Sequence, residues 1–337
     1  MLDERKTAIL SAVVQEYIST AMPVGSSHIA SAPGVRVSPA TIRNEMAVLE
    51  QEGYLVQPHT SAGRVPTDKG YRFFVDHLTQ PGNLDHTTRA TVGQFFASAH
   101  GRLEEMLHRT SDLLTRLTNY ASVVVGPTAE VVVVRSLQVV PLSSTTATVV
   151  AVLGNGAVES QTVELAKPLT DEEIAAASRH LAGECVGKAL GAVGEVPPSG
   201  DPAVDDLCRQ ALVALREDSS AAHVYLGGAS AMAASFEAVE IVRNVLRTLE
   251  QQFVVVSLVS DILDRGMSVA IGVEHGVQPL SVCSVVVAPV VVEGEHRGSV
   301  GVLGPTRMNY PQALATVEAV SDRLGRHMAQ SEQGGDG

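Results

Sequence analysis

Tryptophan is missing from this 337-residue chain, and aromatic residues supply only 4% of it. Its cores must therefore be assembled from Val, Leu, Ile and Ala. Apolar residues reach 45%, which excludes a wholly disordered chain. Cysteine is scarce too. Cys185, Cys208 and Cys283 lie far apart, form no CxxC pair and cannot all pair within one chain, which fits a reducing, cytoplasmic location. No apolar run approaches the roughly 20 residues of a membrane helix. The stretch 284–292 is short and interrupted by Pro289. The opening MLDERKTAIL mixes acids with its bases around no long apolar core, so a signal peptide is not expected.

Enzyme signatures are also lacking. There is no GxxxxGK[ST], no GxGxxG after a strand, no HExxH and no GxSxG, and Gly298, Gly301 and Gly304 lack phosphate-loop spacing. The eleven histidines do not cluster at ligand spacing; His86, His100 and His108 read as helix surface. No enzymatic activity, cofactor or metal is expected.

Positive charge is in deficit, with a net charge of −13. The deficit is uneven. Residues 1–80 hold seven Lys/Arg against eight Asp/Glu, so nearly all the negative charge lies beyond them. Phosphate would repel that later part, and any nucleic-acid contact must come from local patches in the first 80 residues.

Those 80 residues are dense in punctuation. A helix is expected over 4–21, with Ile9, Val13 and Tyr17 on one face and Pro23 and Gly25 closing it. Ser26 or Ser27 is expected to cap a short second helix through Ala30. Ser38 followed by Pro39 opens a third helix with Ile42, Met46 and Leu49 inward, and Gly53 stops it. A strand at 54–59, a turn at 60–63, a return strand at 64–66 and a helix from Thr67 to Leu78 follow.

This order is that of a winged helix-turn-helix. Its reading helix would present Ala40, Asn44, Ala47 and Gln51 opposite the buried face, with Thr41 and Arg43 flanking them. Arg suits guanine, Asn suits adenine, and small residues let the helix sit deep in the major groove. Neither Arg36 nor Arg43 has a nearby acid before Glu45. The hairpin and its flank gather His59, Thr60, Ser61, Arg64, Lys69 and Arg72 around one acid, Asp68, which suits phosphate or minor-groove contact. The candidate DNA-binding residues are thus Ser38, Ala40, Thr41, Arg43, Asn44, His59, Thr60, Ser61, Arg64, Lys69 and Arg72.

After the linker Pro81-Gly82-Asn83, apolar residues from Val92 to Leu117 follow 4-3 spacing. They predict one long helix over 84–120 that packs on the next domain or on a copy of itself. Strands are expected at 123–125, 131–134, 148–153, 158–165, 224–226, 253–258, 269–271, 283–292 and 298–303. Helical segments are expected at 168–219, 239–252 and 311–328. The pattern reads as an α+β fold: a DNA-binding domain at 1–80, a linking helix at 84–120, an α+β domain from 121–166 and 221–328, and an insertion at 167–220.

The run from Val37 to Met46, VSPATIRNEM, then Gly53-Tyr-Leu, QPHTSAGRVPT at 57–67 and Gly70-Tyr-Arg72 resemble the heat-inducible repressor HrcA family. Ile271-Gly-Val-Glu274, Cys283-Ser284 and GVLGPTRM at 301–308 resemble it as well, so the likeness spans both ends. The resemblance implies a dimeric repressor of chaperone operons that binds an inverted-repeat operator called CIRCE, supported by a GroE-type chaperonin and relieved by heat. It implies a cytoplasmic, nucleoid-associated protein with no membrane partner. It further implies a GAF-like C-terminal part with an inserted dimerising subdomain, and DNA contact by Ser38, Thr41, Arg43, Asn44 and the hairpin 59–64. A small-molecule-gated regulator is the alternative, with 154–156 and Gly227-Gly228 bordering a pocket.

Overall fold

The computed structural model describes residues 2–59, 62–78, 84–99, 103–127, 132–154, 157–165, 167–219, 223–234, 236 and 239–333. The first helix, α1 (Glu4–Thr20), is capped by Asp3, and Ala21 ends it in the left-handed region. The expected second helix does not form. Residues 25–35 run as successive turns, His28 N–H to Gly25 O, Ala32 N–H to Ile29 O and Val35 N–H to Ala32 O, around the buried Ile29. Gly25, Pro33 and Gly34 leave too few helix-compatible positions between the breakers to repay nucleation.

Helix α2 (Pro39–Gln51) starts at Ser38, as its Ser-Pro opening predicts, and buries Ile42, Met46 and Leu49. Strands β1 (Leu55–Val56) and β2 (Val65–Pro66) form a short hairpin, and Val24 bridges to Arg64 beside it. The expected strand 54–59 is thus only two residues long. Helix α3 (Asp68–Asp76), capped by Thr67, closes the unit with Tyr71 and Phe74 inward.

The predicted long helix is broken. Helix α4 (His86–Ser98) ends at Ala99 in extended backbone, and α5 (Leu103–Thr118) starts anew. The apolar seam survives the break because Val92, Phe96, Met106, Leu107, Leu113 and Leu114 are all buried in one core. α5 leads into β3 (Ala121–Val125), a fully buried strand.

Two sheets follow. Strands β4 (Val134–Ser143), β5 (Thr146–Leu153) and β6 (Val158–Glu164) form an antiparallel meander. Helices α6 (Asp171–Cys185) and α7 (Pro202–Ser219) cover one face of it, and these five elements share a core of their own. The expected grouping is therefore redrawn: residues 134–164 side with the inserted helices rather than with the rest of the α+β domain. The other sheet has the order β7-β3-β10-β9-β8, all antiparallel, with β7 (Val224–Gly227), β8 (Val269–Ile271), β9 (Cys283–Val292) and β10 (Glu295–Pro305). Glu293 and Gly294, both at positive φ, make its β9–β10 turn.

Both faces of this five-stranded sheet are covered. Helices α4, α5 and α11 (Tyr310–Gln333) lie on one face, and α8 (Ala229–Ala234), α9 (Val239–Leu249) and α10 (Gln252–Asp264) on the other. α10 replaces the strand expected at 253–258. Its Val255, Leu258, Val259 and Ile262 are buried at i, i+3, i+4 and i+7, so packing on a single face overrides the β-branched run. The N-terminal core is continuous with the α11 side of the sheet, through Tyr71, Phe74 and Tyr310. The three cysteines are buried free thiols, and burial pushes Cys283 up to about 12, which fits a core-filling role. Among the described residues, no helix is long and apolar enough to cross a membrane.

Two stability tests follow from this packing. A Cβ on Gly70 would collide with the Tyr54 carbonyl oxygen, which accepts from Thr67 N–H. Gly70→Ala should cost about 1–3 kcal/mol in urea unfolding, as overpacking does; an unchanged midpoint would show that the hairpin and α3 are less closely seated. His275 is buried in the 3-10 turn Gly272–His275, its Nδ1 accepting from Val277 N–H at 3.2 Å and its Nε2 donating to Leu280 O at 3.0 Å. Desolvation holds its imidazole below the ordinary 6.5, outweighing the bond to Leu280 O that favours the charged ring. The unfolded chain then takes up the proton first, so stability falls as the pH drops below about 6.5. That decline should be shallower in His275→Gln when thermal unfolding is followed across pH.

Candidate nucleic-acid interface

The geometry of α2 decides which side chains face outward. Ser38 sits in extended backbone (φ −66°, ψ 153°), and its Oγ accepts from Thr41 N–H at 3.2 Å. The Thr41 hydroxyl lies 3.0 Å from the same oxygen. Ser38 and Thr41 thus hold each other, and Thr41 is half-buried. With Ile42, Met46 and Leu49 inward, Ala40, Arg43, Asn44 and Gln51 are exposed, and Ala47 is half-buried. The predicted reading face is therefore brought together on one side of one helix.

Most bases around this face are already engaged. Arg5 on α1 reaches Glu45 at 3.3 Å. Arg64 places Nε and one terminal nitrogen each 2.9 Å from Glu50 Oε2, with its side chain only 16% exposed. Lys69 donates to the Glu52 carbonyl at 2.8 Å and lies 4.3 Å from the centre of the Tyr54 ring. Arg64 and Lys69 thus fasten the hairpin and α3 to the end of α2 instead of standing free for phosphate.

Arg72 departs furthest from expectation. Its guanidinium grips both carboxylate oxygens of Glu274 and donates to Val269 O at 2.9 Å, and Asp76 lies 3.4 Å away. That ties α3 to the C-terminal part of the chain and takes Arg72 out of the candidate interface. The separation of 202 residues is why no local charge pattern could reveal the pair.

Arg36 and Arg43 are different. Both are exposed, and among the described residues neither has an ion pair or hydrogen bond. Arg36 was absent from the expected contacts, although its lack of a neighbouring acid was visible in the sequence. At the hairpin, His59 is exposed and its carbonyl accepts from Ala62 N–H, while Thr60 and Ser61 lie outside the described residues. A Cβ on Gly63 would come within 2.5 Å of the Val24 backbone, so this glycine lets the hairpin return close to the chain after α1.

The glycines proposed to border a ligand pocket do something else. A Cβ on Gly227 would lie 2.8 Å from Ser122 Oγ, and one on Gly228 would lie 2.6 Å from the Thr115 side chain. Both mark close packing of β7 on α5 and β3. Asn155 and Gly156 lie outside the described residues. Among the described residues, no group of His, Cys, Asp and Glu is arranged to hold a metal ion.

Comparison with known proteins gives this geometry its context. Residues 104–314 match the family model of the HrcA protein C-terminal domain. The heat-inducible transcription repressor HrcA of Cutibacterium acnes is 37% identical over 98% of this chain and 100% of its own length. That of Acidothermus cellulolyticus is 38% identical, with the same coverage. The chain belongs to the HrcA family. A solved structure described only as a hypothetical protein, at 2.2 Å resolution, is similar to the whole chain with a TM-score of 0.68 and 25% identity. It covers 98% of this chain and 100% of that one. The α+β architecture is thus shared along the full length. HrcA relatives carry the name of a transcription repressor, not of an enzyme.

The pairing pattern separates two kinds of arginine. Arg64→Ala strands Glu50 and should lower unfolding stability by about 1 kcal/mol, a part-exposed charge-assisted contact. Arg43→Ala and Arg36→Ala should stay within about 0.5 kcal/mol of the parent, as for surface positions without partners. Thermal unfolding of the three variants checks this, and equal losses would contradict the assignment.

Proposed function

We propose that this chain is a sequence-specific, DNA-binding transcriptional repressor of heat-shock chaperone operons. In this reading it binds an inverted-repeat operator of the CIRCE type as a dimer. The observation that carries the reading is α2: a Ser38-capped helix with its apolar face buried, its opposite face exposed, and at its start two guanidiniums, Arg36 and Arg43, unpaired among the described residues. The unit 2–78 acts as a winged helix, with α2 as its reading helix and the β1–β2 hairpin as its wing.

The first turns of such a helix reach base edges in the major groove. Arg43 suits guanine O6 and N7, and Asn44 suits adenine N6 and N7. Ala40 and Ala47 keep the helix surface low enough to approach the base edges. Ser38 acts chiefly by fixing where the helix begins, and His59 at the hairpin faces the backbone. The surrounding acids, the −13 net charge included, are repelled by phosphate and favour one orientation of approach.

Dimerisation is supported by the open face of the β4–β5–β6 sheet. Val140, Leu142 and Val158 are exposed on it, while Leu137, Val149 and Val163 of the opposite face are buried in the insert's own core. A second subunit covering that face would hold two reading helices on neighbouring half-sites of one duplex. The C-terminal part acts as a GAF-like platform in this arrangement. Repression is then steric, in the cytoplasm and on the nucleoid.

Heat relief follows if the binding-competent dimer is only marginally favoured and a GroE-type chaperonin restores it, so that unfolded proteins competing for the chaperonin lift repression. Operator affinity should then fall after mild heating and recover with chaperonin. Equal affinity throughout would remove the chaperonin from the account. Arg43→Ala should cost about 1–3 kcal/mol in operator binding and relax the preference at one base position. Binding measured against all single-base operator variants checks this, and an unaltered specificity profile would remove Arg43 from the readout.

A further inference from the structure

The contact between α3 and the C-terminal part is built from charged side chains whose main partners are some 200 residues away in sequence. Asp68 and Arg72 stand four residues apart on α3, so both project from one face of the helix. That face meets β8 and the turn after it. The Asp68 carboxylate lies beside the Val273 backbone and directly over Gly272, where any Cβ would collide with it. Gly272 also has φ +55°, so its conformation and its lack of a side chain are both required there.

Arg72 completes the seat. Its planar fork spans both oxygens of Glu274, and one arm continues to Val269 O at 2.9 Å. Glu274 is itself held, because its Oε2 accepts from Ile271 N–H at 2.8 Å. Beside the pair, the Tyr71 and Tyr310 rings lie 5.9 Å apart, both buried. A bidentate guanidinium–carboxylate pair fixes direction as well as distance. The same α3 is fastened to α2 through Lys69 and the hairpin, so an angle set at Glu274 is transmitted to the reading helix.

We propose that Arg72 and Glu274 are positioning residues for operator reading: their pair fixes the direction of α2 relative to the C-terminal body and so sets which half-site spacing the dimer accepts. This rests on the dimeric reading of an inverted repeat proposed above. A rigidly mounted pair of helices matches one separation and one angular offset along the duplex. Inserting three base pairs between half-sites turns one by about 100° at 10–10.5 base pairs per turn, which a fixed mount cannot follow.

The test uses the full chain and duplexes carrying two half-sites with spacers varied one base pair at a time, plus a single half-site and a random duplex. Wild type should bind one spacing best and lose about tenfold when three base pairs are added, roughly the 1.4 kcal/mol of one decade. Glu274→Gln keeps an oxygen for Ile271 N–H but removes the charge. It and Arg72→Gln should bind the best spacing more weakly, lose less than about threefold on the same insertion, and bind the single half-site like wild type. The double variant should match the singles, since members of one pair are not additive. Arg72→Lys, which retains charge but not the fork, should fall between. Thermal unfolding of each variant establishes that it is folded. A spacing profile as sharp as wild type in folded variants would overturn the proposal. Wild type showing no preference for any inverted repeat over random duplex would overturn the dimeric reading and this proposal with it.

Discussion

The inward burial of Ile42, Met46 and Leu49 is the constraint on which the rest of the structure's function depends. A helix of this length buries one stripe and exposes the other. Once Met46 and its neighbours are committed to the core with Ile9, Leu10 and Val13, the exposed set follows from geometry alone. Ser38 fixes the start of that helix and therefore the phase of every side chain after it. Arg43 and Asn44 owe their exposure to this phase.

Electrostatics then refines the picture. An acidic protein that reads DNA must concentrate free positive charge where it is used. Of the candidate bases, Arg64 and Lys69 hold the hairpin and α3 to α2, and Arg72 holds α3 to Glu274. Among the described residues up to 78, the Lys and Arg side chains left uncommitted are Arg36 and Arg43, at the front of α2. Bases that look like a phosphate-binding patch in sequence instead brace α2 against its surroundings. Bracing limits the conformational freedom that would otherwise be lost on binding.

Much of the N-terminal unit was legible because its signals are local. Ser38-Pro39, Gly53 and Thr67 fix their elements within a few residues. What was hidden depends on distant partners. The β-branched run after Gln252 resembles a strand until Val259 and Ile262 are counted with Val255, which reveals helical spacing. The seam from Val92 to Leu117 is continuous in sequence although the helix breaks at Ala99, because both helices face the same core. Strands β4 to β6 carry no label saying which helices cover them; only α6 and α7 supply the missing layer. Glu274 could not be assigned to Arg72 from a sequence separation of 202 residues.

The most direct test is chemical protection of guanine N7 in an inverted-repeat operator by the full chain. N7 faces the major groove alone, where α2 is placed by this account. Protection should appear in both half-sites, on one face of the duplex, and should weaken at one symmetric pair of guanines with Arg43→Ala. Bound protein that leaves every guanine N7 reactive would contradict the assignment of α2 as the reading helix.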